Sequence, residues 1–286
     1  MSNALFGWPR HTSRVIFDMD YGSYDSEFTA ARAGEFPFSL VARTTDNNAT
    51  SMKIRGRFAE PEKLGLVTLC HHNIEDNYTK FVFKGYANDD YTDQVTEIEQ
   101  KVWPLVYDFE QVDFDGGNLW DRTYTKRERA GLPFNRPVHV PGGHYIQSFE
   151  YDIVDAAQPD YLQFGMLDIA DAKIWPRNYS YGLAVVPESQ SKVLANGNGV
   201  EYTKKKTSVR KMIGQISLIE RDAGLQVFYE HLRQTDITEP FIVWKDKDDS
   251  KNMLRECFMA RNFKLGEITD VANNFVRVPL NFKEFL

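Results

Sequence analysis

The chain has 286 residues, of which 42% are hydrophobic and 14% aromatic, and it carries a formal net charge of −7. This composition supports folded cores and excludes an intrinsically disordered chain. No run approaches the roughly 18 apolar residues that a membrane-spanning helix needs. The first residues lack the basic start and apolar core of a signal peptide. We therefore expect a protein without membrane insertion that is made in the cytoplasm.

The charge is distributed unevenly along the chain. Residues 173–286 contain 18 Lys and Arg against 14 Asp and Glu, whereas residues 1–172 contain 16 against 27. Such asymmetry favours two domains. An acidic front part also matches nucleic-acid phosphates poorly, so we expect no nucleic-acid partner. The two cysteines, Cys70 and Cys257, lie in no metal-type spacing and predict buried thiols.

The front part of the chain predicts an arm followed by many strands. Residues 1–35 predict an extended N-terminal arm, because helix signals are few and Asp and Gly punctuate the segment. Thr125 and Glu128 match a capping box before a short helix in the long loop 113–143. Strand-like runs, alternating or apolar throughout, occupy residues 51–58, 64–69, 79–86, 102–107, 145–153 and 161–167. Many short strands with turns between them predict a β-sandwich or jelly roll over residues 36–172.

The back part predicts a second β domain, residues 173–286, that begins near Trp175 and Pro176. The sequence Asn-Gly-Asn-Gly at 196–199 predicts a tight hairpin turn, since Asn and Gly tolerate a positive φ. Apolar residues with helical spacing occur over residues 221–234, and a short apolar strand follows at 241–244. The fold class we predict is therefore mainly β, with one main α-helix in the second domain.

Several short strings resemble the distal-tail or minor tail-tip proteins of long-tailed, siphovirus-type bacteriophages. The strings occupy residues 49–58, 64–67, 71–73, 118–120, 124–131, 161–165 and 175–182. In that family a galactose-binding-like jelly roll is joined to a tail-tube-like domain. The resemblance implies a jelly roll at 36–172 and a ring-forming distal-tail domain at 173–286. It also implies a virion protein of the tail tip or baseplate. The family has no catalytic motif, so the resemblance implies no catalytic residues in this chain.

The resemblance implies partners as well. The chain would form a cyclic ring with copies of itself, a hexamer being favoured over a trimer, and would contact the tube, tape-measure and hub proteins. The leading hypothesis is thus a structural protein that links the tail tube to the host-recognition apparatus. The alternative is a carbohydrate-binding receptor module that attaches to a host-surface glycan. A third hypothesis is a glycan-degrading enzyme.

Aromatic residues in polar, loop-like segments are the candidates for ligand contact. They are Tyr91, Trp120, Tyr124 and Phe134. Sugars stack on aromatic faces, but Tyr and Trp are also enriched where subunits meet. Contact with a glycan, contact with a neighbouring subunit and burial in the core therefore remain alternatives for these rings.

Two charged segments of the second domain are candidates for an interface between subunits. They are the basic run Lys204, Lys205 and Lys206 and the acidic turn that contains Asp246, Asp248 and Asp249. The lysines are compatible with a nucleic-acid patch or with a solvated edge strand that resists aggregation. In a ring they would instead pair with the acidic turn of the next subunit, which is the contact we predict.

The sequence predicts no catalytic residue, no metal and no cofactor. His71 and His72 are adjacent, so on a strand they face opposite sides and make a poor metal pair. Asp113 and Asp115 offer oxygen ligands for calcium, but the spacing of a known calcium loop is missing. Carboxylate pairs of the kind that glycosidases use are expected by chance in so acidic a chain.

Overall fold

The computed structural model describes residues 3–48, 50–112, 118–154, 160–195 and 201–286. The protein is mainly β, which confirms the fold class expected from the alternating sequence patterns. The predicted hairpin turn at 196–199 and the candidate calcium ligands Asp113 and Asp115 lie outside the described residues. Within the described residues, no helix is both long and apolar enough to cross a membrane.

Seventeen strands are numbered here in chain order. They are β1 Leu5–Arg10, β2 Ile16–Phe17, β3 Ala42–Arg43, β4 Lys53–Cys70, β5 Lys80–Tyr86, β6 Gln94–Lys101, β7 Asn135–Val154, β8 Gln163–Phe164, β9 Met166–Ile174, β10 Ala184–Glu188, β11 Lys192–Ala195, β12 Glu201–Lys204, β13 Val209–Glu220, β14 Phe241–Trp244, β15 Cys257–Asn262, β16 Thr269–Ala272 and β17 Phe275–Glu284.

The helical segments are short. The α-helices are α1 Lys126–Arg129, α2 Arg221–Ala223, α3 Glu230–Thr235 and α4 Met253–Glu256. A π-helical segment, Gly224–Tyr229, joins α2 to α3 without a break, so residues 221–235 form one continuous helical rod. This rod is the main helix that the apolar spacing over 221–234 predicts. Single 3₁₀ turns occupy Thr12–Arg14, Ala30–Gly34 and Phe109–Gln111.

The chain folds into two compact units. The terminal unit comprises Met1–Phe6, Ile174–Asp246 and Phe258–Leu286, and the inserted unit comprises Gly7–Lys173 and Lys247–Cys257. Residues 1–35 are expected as an extended arm, but the described part of this segment instead contributes strands β1 and β2 and two 3₁₀ turns. The reason is apolar burial, because Ala4, Leu5 and Phe6 are fully buried in the terminal unit and pull the N-terminal residues into its core.

The inserted unit contains an antiparallel sheet with the strand order β9-β4-β7-β5-β6. The alternation that predicts strand β5 places Phe81 and Phe83 in the core and leaves Lys80 and Lys84 on the other face. The ring of Phe81 stacks on Tyr151 of β7, with centroids 5.3 Å apart. Cross-strand aromatic pairs of this kind stabilise the sheet that carries the loops of the unit.

The terminal unit contains a second strand series in the order β10-β13-β17-β15-β14-β1, with β16 added beside β17. Strand β17 alternates strictly and buries Val276, Val278, Leu280 and Phe282. The helical rod 221–235 closes this core through Phe228, which lies edge-on to Phe6 with centroids 5.7 Å apart. Strands β11 and β12 form a separate two-stranded sheet.

Candidate functional site

Loops of the inserted unit enclose two adjoining cavities, which we call the Arg129 cleft. The larger cavity has a volume of about 420 Å³ and the smaller about 290 Å³, and both are lined by Glu75, Lys126 and Arg129. The larger is also lined by Asn77, Asn118, Tyr124, Thr125 and Arg127, and the smaller by Ala130, Gly131, Leu132 and Phe134. The cleft therefore has polar and charged walls, with apolar groups on one side.

Helix α1 forms the basic wall of the cleft. The predicted capping box at its start is present, because the Thr125 hydroxyl accepts a hydrogen bond from the Glu128 amide and the Glu128 carboxylate accepts one from the Thr125 amide. Burial alone would raise the pKa of Glu128, but hydrogen bonds from Tyr107, Thr125 and Arg255 lower it to about 2. Glu128 lines neither cavity of the cleft, whereas Lys126 and Arg127 beside it are exposed.

Arg129 holds three segments of the cleft together. It donates to the backbone oxygen of Glu75 at 2.9 Å, to the side-chain oxygen of Asn77, and to the Thr123 hydroxyl at 3.2 Å. Arg129 is buried, with only 6% of its surface exposed, and its Nε has no hydrogen-bond partner among the described residues. Burial lowers the pKa of Arg129, and the charge of Glu75 opposes that effect.

Trp120 stands exposed on the loop beside the cleft. Its side chain retains 79% of its accessible surface. The loop is fixed at its base, where the Arg122 amide donates to the Asn118 oxygen at 2.8 Å and the Asn118 side chain donates to the Thr123 oxygen at 2.9 Å. Since Asn118 itself lines the cleft, the exposed indole lies two residues from the cleft wall.

The structure separates the four aromatic candidates. Tyr124 is only 1% exposed, so of the three alternatives its ring shows burial in the core. Its hydroxyl donates to the Ser250 oxygen and accepts from the Leu254 amide at 3.2 Å. Burial raises the pKa of Tyr124 to about 12. Phe134 is half-buried against Trp103, with centroids 5.0 Å apart, and lines the smaller cavity.

Tyr91 belongs to a different surface of the inserted unit. It is half-buried, and the guanidinium carbon of Arg55 lies 4.2 Å from its ring centroid. Arg55 also lies 3.8 Å from the ring centroid of Tyr21 and forms an ion pair with Glu150. The Arg55 cation therefore covers one face of Tyr91, and Tyr91 lines neither cavity of the Arg129 cleft.

The structure places the predicted charged segments on different units. Lys204, Lys205 and Lys206 are exposed in the terminal unit, and none forms an ion pair within the part of the chain that is described. Of the acidic turn, Asp246 belongs to the terminal unit, whereas Asp248 and Asp249 belong to the inserted unit. Asp248 pairs with Lys247 at 2.8 Å, and the Asp249 carboxylate accepts from the Asn252 amide at 3.1 Å.

The histidines and carboxylates do not converge. Across the described ranges, no three His, Cys, Asp or Glu side chains lie close enough together to hold a metal ion. His72 is buried, and burial together with the charges of Arg136 and Arg129 lowers its pKa to about 3. Its Nδ1 accepts a hydrogen bond from the Ile74 amide at 3.2 Å, which is a structural role in the loop before the cleft.

The candidates from the sequence include Trp120 but not Arg129, Glu75 and Asn77, which the structure brings together in one cleft. The capping box located α1 and therefore the position of Arg129. Nothing local to residues 126–129 indicates that the loop at 75–77 reaches the same cleft, because these segments are about fifty residues apart in sequence.

No family model and no curated protein matches the chain. Among solved structures, the chain is similar to a family 32 carbohydrate-binding module of C. perfringens in complex with galactose: 10% identity, TM-score 0.36, covering 60% of this chain and 100% of that one. It is also similar to another such module, from a family 31 glycoside hydrolase of Clostridium perfringens: 9% identity, TM-score 0.36, covering 56% and 92%. A fucolectin from the serum of striped bass, Morone saxatilis, has 9% identity and a TM-score of 0.31, covering 98% and 99%.

Proposed function

We propose that the inserted unit binds a carbohydrate in the Arg129 cleft. The observation that carries this proposal is the 79% exposed indole of Trp120 on the loop whose base lines the cleft. A single exposed apolar side chain is ordinary on a protein surface. Concave sites with several convergent polar groups are the usual ligand sites, and the loop that carries the Trp120 indole contributes Asn118 to such a site.

The chemistry of the cleft matches the two faces of a sugar. The C–H face of a pyranose ring packs on a flat aromatic ring, and Trp120 offers such a ring. Sugar hydroxyls both donate and accept, so they need acceptors and donors together. Glu75 supplies a carboxylate acceptor and Arg127 supplies donors. The amide nitrogens of Asn77 and Asn118 donate to Asp121 and to the Thr123 oxygen, so these two residues shape the lining.

The open shape of the cleft sets the expected strength of binding. With one stacking residue and solvent-accessible polar groups, we expect a dissociation constant of about 0.1–1 mM for a short oligosaccharide, or about −4 to −5.5 kcal/mol. Affinity of this size becomes useful when several copies bind one polymer or cell surface.

The proposal is tested with Trp120→Ala in the full chain, measured by glycan-array binding followed by calorimetry on each responding glycan. Losing the stacking surface should weaken binding about ten- to a hundredfold. The matched control is Tyr181→Ala, which removes an even more exposed aromatic ring from the terminal unit and should leave binding unchanged. The proposal fails if no glycan binds the parent chain, or if both variants bind as the parent does.

A second candidate function is that of a ring-forming structural protein of a bacteriophage tail tip. The observation that favours it is the β11–β12 sheet, whose eight residues are all exposed, including Val193, Leu194 and Tyr202. A two-stranded sheet alone is marginally stable in water, so contact with a neighbouring molecule would stabilise it. A virion location, copies of the same chain and other tail proteins as partners belong to this proposal.

Negative-stain imaging and mass measurement of the purified chain test this second candidate. A closed ring of defined copy number, a hexamer or a trimer, is the expected result. A strictly monomeric chain at concentrations of about 10 µM and low salt would count against self-assembly. The two candidates are compatible, because the cleft lies in the inserted unit and the β11–β12 sheet in the terminal unit.

A further inference from the structure

We infer that the Arg129 cleft selects sugars that carry a negative charge, a carboxylate or a sulfate. The inference rests on the proposed carbohydrate site and names the class of its ligand. Its basis is the charge of the lining, where the cations are Lys126, Arg127 and Arg129 and the one carboxylate is Glu75. A neutral sugar needs no such excess of positive charge.

The positive lining contrasts with the unit that carries it. Gly7–Lys173 and Lys247–Cys257 together contain 20 Lys and Arg against 30 Asp and Glu. The unit as a whole has a net charge of −10, whereas the lining of the cleft has three cations and one carboxylate. The charge of the cleft lining is thus opposite in sign to that of the unit. Like charge elsewhere on the unit would repel an anionic ligand, so specific contacts in the cleft must supply its affinity.

The other carboxylates near the cleft are engaged. Glu128 accepts hydrogen bonds from Thr125 and Tyr107. Asp121 accepts from the Asn77 side chain at 2.9 Å, and Asp76 accepts from the Thr79 amide at 2.7 Å. Each of them keeps its negative charge and acts on Arg129, but none forms an ion pair with Lys126 or Arg127 within the described ranges.

Arg129 provides the second, independent observation. The side chain is 94% buried, it lines both cavities, and its Nε is without a hydrogen-bond partner among the described residues. Its other nitrogens donate only to neutral oxygens, those of Glu75 backbone, Asn77 and Thr123. A buried guanidinium that has no carboxylate in its hydrogen bonds is a ready partner for an anionic oxygen of a ligand.

The test is a glycan array that presents uronate-, sialate- and sulfate-bearing glycans beside their neutral counterparts, with methyl esters of the uronates as charge-free matches. The full chain should bind members of the acidic set at least about tenfold more strongly than the matched neutral forms. Binding should weaken as ionic strength rises from about 0.05 to 0.5 M, because salt screens the charges.

The variant is Lys126→Gln with Arg127→Gln, which keeps the length of both exposed side chains and leaves Arg129 in place. Acidic-glycan affinity should fall about three- to tenfold and its salt dependence should decrease. Lys264→Gln with Arg277→Gln, two exposed cations of the terminal unit outside the proposed subunit contact, is the matched control and should change neither.

The outcomes separate this inference from the proposed function. Binding to neutral glycans with no preference for acidic ones overturns the inference and leaves carbohydrate binding intact. If the control pair weakens acidic-glycan binding as much as Lys126→Gln with Arg127→Gln, the assignment of that binding to this cleft is overturned. If no glycan of either set binds, both statements fall.

Discussion

The guanidinium of Arg129 lies over the indole of Trp103, with the guanidinium carbon 3.9 Å from the ring centroid. Trp103 is 2% exposed, and its Nε1 donates to the Ile74 oxygen at 3.0 Å. The stack therefore connects helix α1 with the loop that follows His72 and fixes the walls of the Arg129 cleft. A planar cation suits this position because it stacks and donates in several directions at once.

Arg129→Lys should destabilise the protein although the charge is retained. A lysine ammonium cannot stack on Trp103 and reach Glu75, Asn77 and Thr123 together. We expect a loss of about 2–4 kcal/mol in the free energy of unfolding, measured by urea denaturation. Arg127→Lys, an exposed position on the same helix, is the control and should stay within about 0.5 kcal/mol of the parent. Equal effects of both substitutions would contradict the anchoring role.

Glu128 gives the structure a pH dependence of known sign. Its pKa in the folded chain is lowered to about 2 from the ordinary value of 4.5, since hydrogen bonds from Tyr107, Thr125 and Arg255 outweigh the opposing effect of burial. A lowered folded pKa means that the stabilisation is complete above about pH 4.5 and is lost as the pH falls toward 2.

Glu128→Gln should therefore be less stable than the parent at pH 7, by about 1–3 kcal/mol, and the gap should narrow as the pH falls from 5 to 2. Thermal or urea unfolding at a series of pH values measures this gap. The control is Glu110→Gln, which replaces a carboxylate that does not cap helix α1. Its stability should differ little from that of the parent at every pH. A gap for Glu128→Gln that is constant across the range would show that its charge is not the stabilising feature.

The N-terminal residues are part of a core, and this yields a third prediction. Phe6 is fully buried and contacts the rings of Trp175, Phe228, His231 and Phe241. Phe6→Ala should cost about 3–5 kcal/mol of unfolding free energy, because it leaves a cavity that this packed aromatic cluster cannot fill. Phe275→Ala removes the same side chain from a position that is 41% exposed in the same unit, and should cost much less. Indistinguishable losses would place Phe6 outside the core.

Local patterns predicted the elements whose signals are local. The alternation in residues 79–86 gave strand β5, and the Thr125–Glu128 pair gave the capping box of α1, because both depend on neighbours within four residues. The helical spacing gave the rod at 221–235 but not its π-helical middle, Gly224–Tyr229. A π-helical segment changes the hydrogen-bond register of the backbone, but it leaves the order of apolar residues in the sequence as it is, so the sequence pattern does not reveal it.

Long-range contacts account for what the sequence did not reveal. Tyr124 stands among polar neighbours in sequence and reads as an exposed loop residue, yet Ser250 and Leu254 cover its hydroxyl from about 130 positions away. The sequence around strand β1 predicts an extended arm, whereas in the structure Leu5 pairs with Trp244 of strand β14. The Arg129 cleft likewise needs Glu75 and helix α1 to meet, and no spacing within one segment encodes that meeting.

The last prediction concerns the β11–β12 sheet and assembly. Lys192 and Lys204 are directly paired across its two strands, and Leu194 and Tyr202 are paired on the same face. Like charges directly opposite each other destabilise a strand pair, and 62% and 60% exposures leave the two apolar side chains uncovered. Both costs would be removed by a neighbouring surface that covers the apolar pair and supplies acidic groups to the lysines.

Two double variants distinguish the contributions of charge and apolar area to that contact. Leu194→Ser with Tyr202→Ser should weaken self-assembly at every salt concentration, since apolar burial contributes most of the affinity. Lys204→Glu with Lys206→Glu should weaken it mainly at low salt, because exposed ion pairs contribute only about 0–1 kcal/mol each and are screened. Tyr181→Ser, a fully exposed ring elsewhere in the same unit, is the control. Mass measurement across a concentration and salt series gives the dissociation constants. Assembly of both double variants at the parent's affinity would remove the β11–β12 sheet from the interface.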